Sequence, residues 1–171
     1  MPVLFFDVDD CLYPQASRVR EASSKLIDGY FEHRLKLSKE ETAQVRNDYY
    51  KRYGLIVEGL VDNYQINPLE YNSMVDDAIA LESLIKPDIK LYRLLQDIDQ
   101  SKVKLWLFTN AYVTHAQRVV RLLGVDQFFE GITYCDYAKV PIICKPQPQM
   151  FEMAMKAVDV ENKADCYFVG S

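Results

Sequence analysis

Asp7 and Asp9 stand two residues apart directly behind the apolar run VLFF, and Asp10 follows at once. Packing gains nothing from such a cluster, and like charges this close repel. Thr109 and Asn110 follow a second apolar run, VKLWLF, and Lys145 sits in CKPQ ahead of a helix-like stretch. A carboxylate at a strand end can attack a phosphoryl group and form an aspartyl-phosphate. A second carboxylate nearby can protonate the leaving oxygen and then deprotonate the hydrolytic water. A hydroxyl, backbone N–H groups and a lysine ammonium can position and neutralise the transferring phosphate. Mg²⁺ suits an oxygen-lined site that offers one or two carboxylates plus the phosphate itself. Mg²⁺ and a substrate phosphate are therefore the expected company of the acids.

Taken singly, each signal has a plainer reading. Asp-x-Asp is more often a solvated turn, Thr-Asn a strand end and helix cap, and Lys before Pro a surface lysine. An EF-hand loop fits worse, because Leu12 stands where its glycine is needed and Arg18 where its closing glutamate is. Order and placement raise the odds: strand then Asp-x-Asp, strand then Thr-Asn, and a loop Lys-Pro before a helix.

The elements that must position these residues can be read from periodicity. Residues 3–7 predict a short buried strand. From Gln15 to about Lys86 the pattern is helical throughout. Val19, Ala22, Leu26 and Tyr30 share one face, and Ser38 with Glu41 forms a capping box. Val45, Tyr49 and Tyr53 mark the next face until Gly54 stops it. Asn67 and Pro68 start a helix expected to run to about Ala80. After Pro87 the rhythm turns α/β. A helix face at Leu91, Leu94, Leu95 and Ile98 precedes a strand over 103–109. A helix with a glycine stop at Gly124, a strand at GITYC, the helix PQMFEMAMKAV and a strand at CYFVG follow. Strands separated by helices imply right-handed crossovers and a parallel sheet. The expected fold is α/β: a three-layer, Rossmann-like parallel-sheet core (1–14 and 87–171) with an inserted all-helical cap (15–86). Ligands of such sheets sit beyond the carboxyl ends of the strands, which selects Asp7, Asp9, Thr109 and Asn110.

Bulk properties exclude other classes. The 171-residue chain is 49% hydrophobic and carries a net charge of −5, so it lacks the basic surface that nonspecific nucleic-acid binding needs. No apolar run reaches the ~20 residues of a membrane helix, and MPVLFF lacks a basic n-region. Neither a nucleic-acid nor a membrane partner is expected. The four cysteines show no CxxC pair, and only His33 and His115 could join them, which argues against zinc. Reduced thiols place the chain in the cytoplasm or nucleus by default.

Three segments carry a family resemblance: FFDVDDCLY, LWLFTNAYVTHAQRVVRLLG and CKPQPQMFEMAMKA. They resemble the first three motifs of the haloacid dehalogenase superfamily of phosphohydrolases, and more closely its fungal pyrimidine 5′-nucleotidase branch. YYKRYGLIVEGL, LEYNSMVDDAIAL and ITYCDY resemble that branch too, so the likeness spans the chain. It implies Asp7 as nucleophile and Asp9 as general acid/base, with Asp7 and the Asp9 backbone carbonyl on Mg²⁺. It also implies Thr109, Asn110 and Lys145 as phosphate-binding residues and a nucleoside monophosphate, foremost a pyrimidine one, as substrate. Tyr53 and Gly54 are the cap residues expected at the substrate; packing within the cap is the plainer reading of its tyrosines.

Two features depart from the family pattern. Cys11 replaces a threonine or serine. Gly170 and Ser171 occupy the places of the paired acids of the fourth motif, and the family continues beyond them. This implies either an incomplete sequence or a metal-impaired relative that binds phosphate or a partner without turnover. It also predicts an exposed apolar edge at CYFVG, with reduced solubility or partner binding there. A receiver-like phospho-switch fits less well, since no phosphoacceptor aspartate ends a central strand. A dehalogenase would need a halide cradle that the residues do not supply.

Overall fold

The computed structural model describes residues 1–170. Strand β1 (Val3–Phe6) alternates cleanly: Val3 and Phe5 are buried on one face of the sheet, and Phe6 on the other with the partly buried Leu4. Strand β2 (Lys104–Phe108) repeats this, with Leu105 and Leu107 on one side and Trp106 and Phe108 on the other. Burial on both faces is what a central parallel strand requires. With β3 (Gly131–Thr133) and β4 (Cys166–Val169), these strands form one parallel sheet in the order β3-β2-β1-β4.

Helices cover the two faces. Helix α7 (Val113–Leu123) lays Ala116, Val119, Val120 and Leu123 against one side, where Leu95 of α6 (Ile89–Gln96) joins them. Met150 and Ala154 of α8 (Pro148–Ala157) pack on the other. The α/β reading therefore holds, as three layers.

Between β1 and α6 the described chain is helical: α1 (Val19–Arg34), α2 (Lys39–Tyr53), α3 (Ile56–Tyr64), α4 (Pro68–Met74) and α5 (Leu81–Leu84). The Ser38–Glu41 capping box is present in both directions, and Gly54 ends α2 at φ 73°, a conformation an L side chain rarely adopts. Tyr30, Phe31, Tyr49, Leu60 and Tyr71 build a second core. That core also takes in Cys135, Tyr137, Ile142 and Cys144 from the loop after β3, which forms the seam with the sheet. Val19, Ile79, Leu81 and Ile85 pack in the sheet's own core instead.

One helix is shorter than its sequence predicts. The helix from Pro68 stops at Met74 rather than near Ala80. The Asp77 carboxylate accepts from Asn72 Nδ2 (2.8 Å) and from Thr114 Oγ1 of α7 (2.7 Å). Arg118 donates to the carbonyls of Asp77 (3.0 Å) and Ile79 (2.8 Å). The bonds from α7 hold residues 77–79 in a non-helical path and satisfy two of their main-chain carbonyls.

The edge of β4 away from β1 has no strand partner among the described residues, and Tyr167 and Phe168 are exposed there. No helix among the described residues is long and apolar enough to cross a membrane.

Candidate active site

β1 delivers Asp7 to the carboxyl end of the sheet, where the Asp7 N–H still donates to the Val169 carbonyl of β4 (2.9 Å). Its Oδ1 accepts from the Val8 N–H (2.8 Å) and its Oδ2 pairs with Lys145 Nζ (2.9 Å). Lys145 Nζ also donates to the Phe108 carbonyl (3.0 Å) at the end of β2, and lies 5.2 Å and 5.0 Å from the Phe108 and Phe168 ring centroids. Aromatic faces attract an ammonium and help to hold it in place. Asn110 clamps the Lys145 main chain, accepting from its N–H (2.6 Å) and donating to its carbonyl (3.0 Å). Thr109 is buried behind it, held by Thr133 O (3.0 Å), and its hydroxyl accepts from the Ala111 N–H (3.0 Å).

Asp9 Oδ1 receives two donors, the Tyr13 hydroxyl and His115 Nε2 (2.7 Å). Burial alone would raise the Asp9 carboxyl; the charge and hydrogen bond of His115, with the Tyr13 hydroxyl, outweigh it and hold the group below the usual carboxylate range. Burial pulls His115 the other way, but the Asp9 charge and hydrogen bond leave its pKa raised. Asp76 lies near this pair. Burial pushes its carboxyl up to about 6, against the opposing charge of His115. Asp10 adopts a positive φ of 57° and pairs with Arg20 (2.5 Å). Each of the three clustered acids thus has a partner from the protein itself: Lys145, His115 and Arg20.

Above these groups lies a cleft of about 630 Å³. Asp7, Asp9 and Asn110 line its floor; Arg46, Tyr50 and Gly54 line the opposite wall, which the helical segment supplies.

A haloacid dehalogenase-like hydrolase model matches residues 1–171. The chain belongs to that family. Phosphate metabolism protein 8 of Saccharomyces cerevisiae is 39% identical over 176 residues, covering 98% of this chain and 54% of that protein. The chain thus spans about half the length of the curated relative it matches. Among solved structures, it resembles β-phosphoglucomutase from Clostridium difficile (21% identity, TM-score 0.58, 98% of this chain and 75% of that one). It also resembles a HAD-hydrolase of Bacillus subtilis bound to magnesium (16% identity, TM-score 0.55, 98% and 78%). At these identities the structures show a shared fold.

Within this haloacid dehalogenase-like chain, the residues singled out from sequence fall in different places. Asp7, Asp9, Asn110 and Gly54 line the cleft, and Lys145 reaches it through Asp7. Tyr53 does not line it: its ring packs on Tyr49 (centroids 5.6 Å apart), and its hydroxyl accepts from Asn63 (3.1 Å). Tyr49 is buried in the helical core away from the cleft, whereas Tyr71 of that core and the exposed Tyr50 both line it. His115, Tyr13 and Asp76 were not legible as site residues. A signal for His115 existed, since it falls on the same stripe of α7 as Ala116, Val119 and Val120 and so had to be buried.

Among the described residues no group of three His, Cys, Asp or Glu could hold a metal ion. Mg²⁺ asks for less, since one or two carboxylates with water and a substrate phosphate suffice. The Asp7 carboxylate with the Asp9 main-chain carbonyl fits that smaller donor set. Gly170 adjoins them without adding to it: a Cβ there would lie 3.3 Å from Asp7 Cβ and 2.5 Å from the Phe168 ring. Ser171 lies outside the described residues.

Proposed function

We propose that this chain is a Mg²⁺-dependent phosphohydrolase acting on nucleoside 5′-monophosphates, pyrimidine ones foremost, through an aspartyl-phosphate. The Asp7–Lys145 pair at the floor of the cleft, with Asp9 two residues on, is the observation that carries it. The name of the 39%-identical yeast relative, Phosphate metabolism protein 8, is in keeping with phosphate chemistry. The pyrimidine preference rests on the sequence resemblance.

In the proposed reaction an Asp7 oxygen bonds to phosphorus while the bond from phosphorus to the nucleoside oxygen breaks. Asp9 hands its proton to that oxygen. Water then attacks the phosphorus, Asp9 takes the proton, and phosphate leaves with Asp7 restored. The environment of Asp9 favours the ionised form the second half needs. A bound phosphate dianion beside it favours the protonated form the first half needs, because like charges raise a carboxyl pKa. Lys145 offsets charge on Asp7 and on the phosphate, and the Thr109–Asn110 turn positions it. The Asp7 carboxylate and the Asp9 main-chain carbonyl would hold Mg²⁺, which supplies further neutralisation of phosphate charge when bound. Residues 15–86 act as the cap over 1–14 and 87–171, excluding water and contacting the nucleoside through Tyr50 and Gly54. A cytoplasmic or nuclear setting suits the free thiols of Cys11, Cys135, Cys144 and Cys166.

One observation favours a second reading, a phosphate-binding protein without turnover: Gly170 stands beside Asp7 with no carboxylate. Phosphate release from UMP, CMP and AMP with and without Mg²⁺, beside an Asp7→Asn control, separates the two. Mg²⁺-dependent release favouring UMP and CMP supports the phosphohydrolase; a folded but silent chain supports the binder.

A further inference from the structure

We propose that His115 and Tyr13 are positioning residues that aim the Asp9 carboxylate for proton transfer, an inference that rests on the phosphohydrolase reading above. Asp9 lies in the turn beyond β1, and turns leave a carboxylate several rotamers. Here two elements converge on one of its oxygens. Tyr13 reaches Oδ1 from four residues along the same loop, and His115 Nε2 reaches it from α7 at 2.7 Å. A carboxylate oxygen with two fixed donors cannot turn without breaking both bonds. Oδ2 accepts no hydrogen bond among the described residues and is left for the reacting groups.

The His115 ring suits this role. Its side chain is 6% exposed while that of Asp9 keeps 41% of its surface, so a buried group steadies one that faces the cleft. An ionised carboxylate only accepts, which assigns the proton of this bond to Nε2. His115 Nδ1 has no partner, so the Asp9 contact is the one hydrogen bond that its ring makes among the described residues. The helix also starts from the phosphate-binding turn: Tyr112, two residues beyond Asn110, is the N-cap of α7. One rigid element therefore sets the distance between the phosphate-binding turn and the acid/base.

The test compares leaving groups. UMP loses an alkoxide-like oxygen that needs a proton, whereas p-nitrophenyl phosphate loses a stabilised phenolate that does not. His115→Ala and Tyr13→Phe should lower kcat/KM on UMP by roughly 10²-fold, in keeping with loss of aimed general acid catalysis. They should lower kcat/KM on p-nitrophenyl phosphate several-fold less, since kcat/KM reports formation of the aspartyl-phosphate and not the hydrolysis that both substrates share. His115→Gln, which keeps an N–H donor, should recover part of the UMP rate. Equal losses on both substrates, or no loss on either, would overturn the assignment while leaving the phosphohydrolase intact. A wild-type chain silent on both would overturn the phosphohydrolase reading, and the positioning role with it. Melting curves by circular dichroism identify any variant that fails to fold, in which case Tyr13→Phe and His115→Gln decide the matter.

Discussion

Lys145 Nζ lies 2.9 Å from Asp7 Oδ2 and is held there by the Phe108 carbonyl, so the nucleophile candidate beyond β1 meets its counter-charge from the loop ahead of α8, far away in sequence. Asp7→Asn is expected to abolish phosphate release while leaving the far-ultraviolet circular dichroism unchanged. Lys145→Met should also depress release and cost about 1–3 kcal/mol in urea unfolding, because it strips a charged partner from a partly buried carboxylate. Turnover retained in Asp7→Asn would remove it as the nucleophile.

Asn110 acts on the same lysine through its backbone. Asn110→Ala breaks two hydrogen bonds, at 2.6 Å and 3.0 Å, that fix the loop bearing Lys145. The expected outcome is a loss of about 1–3 kcal/mol in chemical denaturation together with a lower kcat. Unchanged kcat with reduced stability would confine Asn110 to a structural role.

Asp76 makes stability depend on pH. Its carboxyl is pushed up to about 6 by burial, against 3.8 in an open chain. Between those values the folded form keeps a proton that the unfolded form has lost, so stability falls as pH rises through this window and stays lower above it. The cost is on the order of 3 kcal/mol at most. Asp76→Asn should therefore melt higher than wild type at pH 7.5, and the difference should close near pH 4. A lower melting temperature at pH 7.5 would contradict this account.

Among the described residues β4 has an edge without a strand partner, and residues 1–171 taken alone are expected to self-associate along it. Tyr167 is 54% exposed on it. Tyr167→Lys should reduce concentration-dependent association in sedimentation, since an edge lysine opposes strand-to-strand pairing. Equal sedimentation of variant and wild type would acquit the edge.

Much of this molecule is legible in short stretches of sequence. The alternation of VLFF and KLWLF specifies strands buried on both faces, and Ser38 with Glu41 and Gly54 specify where α2 starts and stops. Asp7, Asp9, Thr109, Asn110 and Lys145 are equally visible, because the first four follow strands and the last precedes a helix whose limits the pattern marks. These features depend on hydrogen bonds and burial among residues close in the chain. The partners of the acids do not. His115 meets Asp9 across 106 positions, and Thr114 and Arg118 draw the chain after Met74 out of its helix. Such contacts exist only once β1, β2 and the helical segment have packed, since the path of the folded backbone, rather than local preference, sets which distant polar groups come within reach of a hydrogen bond.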